Sequence, residues 1–174
     1  MDYYTLEAIL VDMEHPHEPR WLDAEEQRIW YALAYALVRL PAALDAQMQR
    51  DAGISQFEYL VLSALSIAPD RTLRMSMLAT YAASSLSRLS NVVGRLEKRG
   101  WVRRTTDPVD ARATLTILTE DGWTKVVASA PAHVDEVRRL VFDPLTKAQQ
   151  RQLGNIAERI LRAIDPDLMA ALLV

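Results

Sequence analysis

The sequence contains no cysteine. That excludes a disulfide framework, a thiolate-held metal and a cysteine redox sensor. Glycine is scarce, five in 174 residues, and no glycine-rich phosphate loop occurs. The only histidines are His15, His17 and His133, and no serine or other nucleophile stands in a recognisable pattern with any of them. No catalytic residue is therefore expected, and the chain does not read as an enzyme. His15 and His17 lie beside Glu14 and Glu18, but a polar, proline-containing arm explains them better than a metal site does. Neither metal nor cofactor is expected. No uncharged apolar run is long enough to span a bilayer. Asp2, Glu7, Asp12 and Glu14 do not suit a secretory signal. The expectation is a cytoplasmic protein with no membrane partner.

Half of the residues are apolar and a quarter are charged, which suits a globular chain with a core of its own. The net charge of −3 argues weakly against nucleic acid, but its distribution argues the other way. Between Asp70 and Arg112 stand nine basic and four acidic residues, so that this segment carries +5 and the remainder −8.

Helical periodicity dominates, and the fold class is mostly α. Ile29, Leu33, Ala36, Leu37 and Leu40 mark a helix over 23–40. Pro41 is expected to interrupt it and to open a second short helix, which Gly53 stops. Ser55 and Glu58 form a capping box ahead of a buried stripe of Phe57, Leu60, Val61, Ala64 and Leu65. Thr72-Leu73 is a short extended piece. A helix from Met75 to Tyr81 follows, with Leu78 inward. Ser84 or Ser85 caps the next helix, 86–99, with Leu86, Leu89, Val92, Val93 and Leu96 on its core face. Then the period changes. Residues 101–104 and 113–118 read as strands around a charged loop, 105–112. Thr119 caps a helix over 120–142 in which Pro131 should make a kink. Thr146 and Gln149 open another at 147–164, with Leu153, Ile156, Ile160, Leu161 and Ile164 inward. Asp165-Pro166 begins a last short helix through Leu173.

Helix, turn, helix and charged hairpin in that order make a winged helix-turn-helix, flanked by N- and C-terminal helices. The second helix of such a unit can lie in the major groove with its N-terminal residues at base edges. Its free backbone donors favour phosphate there. Ser84, Ser85 and Ser87 are short and polar, Arg88 can reach guanine, and Asn91 can pair with adenine. Arg95 lies on a flank of the same helix. Gly94 lowers helix stability on the polar face, through close backbone approach or as a neutral substitution.

The run SLSRLSNVVGRLEKRG (85–100), the wing DPVDARATLTILTEDG (107–122) and the segment Leu73 to Ala79 are similar to the multiple-antibiotic-resistance regulator (MarR) family, over about residues 25–165. The resemblance implies a homodimer whose terminal helices interlock and whose two winged units grip an inverted repeat in double-stranded DNA. It implies a wing arginine in the minor groove, matched by Arg112, and a bracing aspartate, matched by Asp110. Arg74 and Arg104 are the flanking contacts. The sequence departs from the family pattern at Ala111, Asn91 and Gly94, which bears on the operator sequence and not on the fold.

The expected division is an arm and dimerisation helices over 1–52, the winged unit over 53–122 and C-terminal dimerisation helices over 123–174. Trp30, Tyr31 and Tyr35 are either lining for a small aromatic effector or dimer core. Tyr3, Tyr4, Leu6, Ile9, Leu10 and Met13 give the N-terminal arm an apolar side. The leading reading is a transcriptional repressor. A winged-helix protein-interaction module without DNA binding, or a ligand-insensitive architectural DNA binder, is the alternative.

Overall fold

The computed structural model describes residues 19–166. His15, His17 and the apolar side of the arm lie outside the described residues, as does the last short helix beyond Pro166. The chain divides into two units, Met1–Leu37 and Val38–Val174.

Among the described residues there are six α-helices and three strands. In chain order they are α1 (Ala24–Ala52), α2 (Gln56–Ile67), β1 (Thr72–Arg74), α3 (Met75–Tyr81), α4 (Leu86–Lys98), β2 (Val102–Thr106), β3 (Thr114–Leu118), α5 (Glu120–Val137) and α6 (Lys147–Ile164). Both expected capping boxes form. The Ser55 hydroxyl accepts from the N–H of Glu58 while the Glu58 carboxylate accepts from the N–H of Ser55, and Thr146 and Gln149 repeat the exchange. The Thr119 hydroxyl caps α5 by accepting from the N–H of Gly122. A glycine is needed at 122, since a Cβ there would collide with the carbonyl of Trp101.

Pro41 does not end the first helix, and α1 runs through it for 29 residues. Pro41 and Leu37, whose carbonyl loses its usual partner, are both exposed, so water can satisfy that carbonyl. α5 likewise runs unbroken through Pro131, and after it Arg138–Phe142 wind as a π-helical turn. By length and composition α1 is apolar enough to cross a bilayer, although the sequence has no uncharged run of that length; Arg39 and Asp45 lie within it.

The sheet has three strands rather than two. β3 is central, and β1 and β2 pair antiparallel on either side of it. β2 begins one residue later than expected and continues to Thr106, because the β-branched pair Thr105-Thr106 extends the ladder opposite Leu115 and Thr114. The wing loop is correspondingly shorter.

The core sits among α2, α3, α4 and the sheet. Leu62, Leu65, Leu78, Leu89, Val93 and Leu96 are fully buried. Each large side chain of this kind contributes about 2 kcal/mol through removal from water. On α2 the buried face is centred differently from the expected stripe. Tyr59 and Leu62 are inside and Leu60 is exposed, because α2 packs against α5 as well as against α3, α4 and β3. His133 of α5 meets Tyr59 across this packing, with ring centroids 4.7 Å apart. Leu86 is also a correction. It is exposed, on a groove that it shares with Met75 and Ser76 at the start of α3 and with the wing. The expected inward face of α6 is open within one chain, with Leu153, Ile156, Ile160 and Ile164 all exposed.

Candidate nucleic-acid interface

The site is built on α4 and the hairpin. Ser85 caps α4, its hydroxyl accepting from the N–H of Arg88 at 3.3 Å. A serine is favoured here because its short side chain folds back onto the free donors of the first turn. Leu89, Val92, Val93 and Leu96 fasten one face of α4 in the core, so the opposite face is turned outward with Ser87, Arg88 and Asn91 exposed. Ser84 is half-buried, and its hydroxyl donates to the Ser85 carbonyl. Ser85, Ser87, Arg88, Asn91 and Arg95 meet Asp45, Ser55 and Phe57 around an open groove of about 540 Å³. The Arg88 guanidinium lies over the Phe57 ring at 4.6 Å, a cation–π contact that holds it across the groove.

A second groove of about 560 Å³ lies between the start of α4 and the wing. Arg74, Leu86, Asp110 and Arg112 line it. The Arg112 side chain is 92% exposed, and its Nε donates to Asp110 Oδ1 at 3.2 Å. The backbone N–H of Arg112 donates to the same oxygen at 3.1 Å. Asp110 thus holds the arginine through one guanidinium bond and one backbone bond.

Asp107 anchors the wing from below. It is only 6% exposed, it accepts from the N–H of Val109 at 2.8 Å, and it pairs with Arg74 Nη2 at 2.7 Å. The Val109 bond, with the Arg74 charge, holds its carboxyl below the usual carboxylate range against a burial that pushes it up. Arg95 pairs with the buried Glu58 at 3.3 Å. Burial raises the Glu58 carboxyl, but the N–H of Ser55 and the Arg95 guanidinium outweigh it and leave it below its ordinary value.

The fold that carries these residues is one that known proteins share. A family model described as MarR family matches residues 52–113. Sco3205 of Streptomyces coelicolor, a MarR family transcriptional regulator solved in complex with DNA, is 48% identical. It superposes with a TM-score of 0.82 over 86% of this chain and 93% of that one. The chain belongs to the MarR family of transcriptional regulators. AbsC of the same organism, also a MarR family regulator, is 32% identical with a TM-score of 0.77, over 87% of this chain and 99% of that one. The uncharacterised HTH-type transcriptional regulator YdcH of Bacillus subtilis is 33% identical over 94 residues, which are 54% of this chain. That match spans 63% of YdcH's own length.

Within this MarR fold the structure brings Ser85, Ser87, Arg88, Asn91 and Arg95 together on one groove and Arg74, Asp110 and Arg112 on the other. Arg104 stands on β2, paired with Glu97 at 2.6 Å. Trp30, Tyr31 and Tyr35 line neither groove and are each more than half exposed on α1. Phe57 was read as core, Glu58 as a cap and Asp107 as part of the wing motif, but that these three and Glu97 each hold a candidate arginine was missed.

Proposed function

We propose that the chain is a sequence-specific, double-stranded-DNA-binding regulator of transcription. It acts as a homodimer with one winged unit, residues 53–122, on each half of an inverted repeat. The observation that carries this reading is the joint outward presentation of the α4 face and of Arg112, within the +5 segment of an otherwise acidic chain. Ser85, Ser87, Arg88 and Asn91 meet base edges and phosphates in the major groove. Arg112 enters the minor groove, where the negative potential is strongest over A·T-rich steps. Ser84, Arg74 and Arg104 support these contacts at the flanks. Residues 1–52 and 123–174 supply the dimer, and the place of action is the cytoplasm. Whether the outcome is repression follows from where the operator lies relative to the promoter. Trp30, Tyr31 and Tyr35 serve the dimer core, and a small aromatic effector that stacks on them would act by shifting that interface.

The test is the wing. Arg112 is so exposed that its pair with Asp110 contributes little to stability. Arg112→Ala should leave the melting temperature nearly unchanged. It should weaken binding to DNA from upstream of the gene at least tenfold, about 1.4 kcal/mol. Asp110→Ala should show a milder loss. Fluorescence anisotropy at fixed salt, beside a thermal melt, measures both. An Arg112→Ala protein that binds as tightly as the parent refutes the placement of this wing in DNA. A folded parent that binds no DNA favours the protein-interaction alternative.

A further inference from the structure

Four of the arginines on the candidate DNA face already carry a carboxylate. Arg74 is paired with Asp107, Arg95 with Glu58, Arg104 with Glu97 and Arg112 with Asp110. These partners are not equivalent. Glu58 and Asp107 are each 6% exposed and are tied to backbone N–H groups, so they stay where they are whatever approaches. Asp110 touches the Arg112 guanidinium through a single bond and leaves the rest of it in solvent. Glu97 differs from all three. It lies at the surface on the last turns of α4, and it grips Arg104 with a charge-assisted fork. Arg104 Nε and Nη2 donate to Glu97 Oε2 at 3.0 and 2.6 Å. The N–H of Arg104 donates to Oε1 of the same carboxylate at 3.0 Å. Arg104 belongs to β2, an edge strand, and this N–H has no partner strand to receive it.

A forked, ionised acceptor on an arginine presents the same chemistry that a phosphate would. We propose that Glu97 is an intramolecular competitor for DNA phosphate, occupying the Arg104 guanidinium and setting the affinity of the whole face below what its arginines could deliver. The inference rests on the DNA-binding reading. On DNA, the Nε and Nη2 donors that Glu97 holds reach a phosphate only by leaving the carboxylate, and Glu97 then faces the duplex as an unpaired negative charge. The cost is electrostatic and independent of sequence, so it falls alike on operator and on arbitrary DNA. Arg103 and Lys98, by contrast, have no ion-pair partner among the described residues, and each is exposed.

Glu97→Gln tests this, because the amide keeps an oxygen for the N–H of Arg104 and removes only the charge. Binding to a fluorescein-labelled mixed-sequence duplex, followed by anisotropy over a salt series, should tighten about three- to tenfold and its log–log salt slope should steepen by about 0.9, the signature of one more phosphate contact. In an Arg104→Ala background the gain from Glu97→Gln should vanish. A Glu97→Gln protein with the parent's affinity and slope overturns the inference. So does a gain that survives whole without Arg104, since the carboxylate would then simply repel DNA. A thermal melt of each variant separates loss of fold from loss of charge. A parent that binds no duplex removes the DNA reading itself and this inference with it. A parent that binds and matches Glu97→Gln overturns this inference alone.

Discussion

Gly94 stands in the middle of α4, where a glycine costs about 1 kcal/mol relative to alanine. The sequence allowed two readings, close approach of a backbone or a neutral substitution. The nearest atom to an added Cβ is Nη2 of Arg104, at 4.0 Å, which is ordinary contact with the far end of a flexible side chain. Gly94→Ala should therefore stabilise the protein by about 1 kcal/mol in urea denaturation, with an unchanged m-value. A loss of stability would mean that the helix packs more closely there than this geometry allows. The same position shows what could be read in advance. Caps such as Ser55 with Glu58 and Thr146 with Gln149 depend on residues three apart, so the sequence displays them whole. The contacts that hold the arginines do not. Glu58 and Arg95 are 37 residues apart, and no periodicity announces that they meet. Leu86 was misplaced for a related reason. Its place on the helical wheel is near the core face, but whether a neighbour covers that turn is decided by residues distant in sequence, and at Leu86 they leave an open groove.

Elements were more legible than their contacts, and α4 shows both sides of that. Its length, its cap and its buried face, apart from Leu86, follow from local pattern. Its attachment to α2 does not. Arg95 and Arg88 both read as DNA-facing cations, yet the structure gives them different tasks. Arg95 pairs with a buried carboxylate, whereas Arg88 lies over an aromatic ring at the mouth of the groove. Arg95→Ala leaves the Glu58 charge without its ion-pair partner, with only Ser55 still donating to it, and Glu58 is 6% exposed. Removing the partner of a buried acceptor costs about 1–3 kcal/mol. Arg95→Ala should lower stability by that order in denaturant unfolding. Arg88→Ala should cost less than ~1 kcal/mol of stability and weaken operator binding by about 1–3 kcal/mol, relaxing preference at one base pair. Equal stability losses in the two variants would remove the distinction between strut and reader. Pro41 and Pro131 mark the limit of reading elements from local rules. Proline lowers helix stability, but on exposed faces water meets the orphaned carbonyl, and neighbouring turns carry the helix through.

At the scale of the molecule two helices turn apolar side chains to solvent. α1 exposes Ile29, Trp30, Tyr31, Tyr35, Leu37 and Val38, and α6 exposes Leu153, Ile156, Ile160 and Ile164. Periodicity marked Ile29 and Leu37 as part of one face of the first helix and the α6 residues as inward, and helices with such stripes seek cover. Within one chain these residues of both helices stay exposed. Monomeric soluble proteins rarely leave large contiguous apolar patches in water. A second copy supplies an identical stripe, and a two-fold interface is self-complementary by construction. The chain mass is 19.7 kDa, so sedimentation at micromolar concentration should give twice that value. Placing a charge at the centre of the α6 stripe, as in Ile156→Asp, should shift the protein towards monomer or abolish soluble folding, since a carboxylate would be buried without a partner. Glu158→Ala is a control on the same helix, where the carboxylate is half exposed and pairs loosely with Arg162 at 3.8 Å, and it should leave the dimer intact. Loss of the dimer should also abolish operator binding while leaving weak, salt-sensitive binding of single winged units, because each half-site alone supplies only part of the affinity. A well-folded parent that sediments as a monomer at micromolar concentration would refute both the dimer and the two-half-site operator, and would leave the apolar faces of α1 and α6 to a different partner.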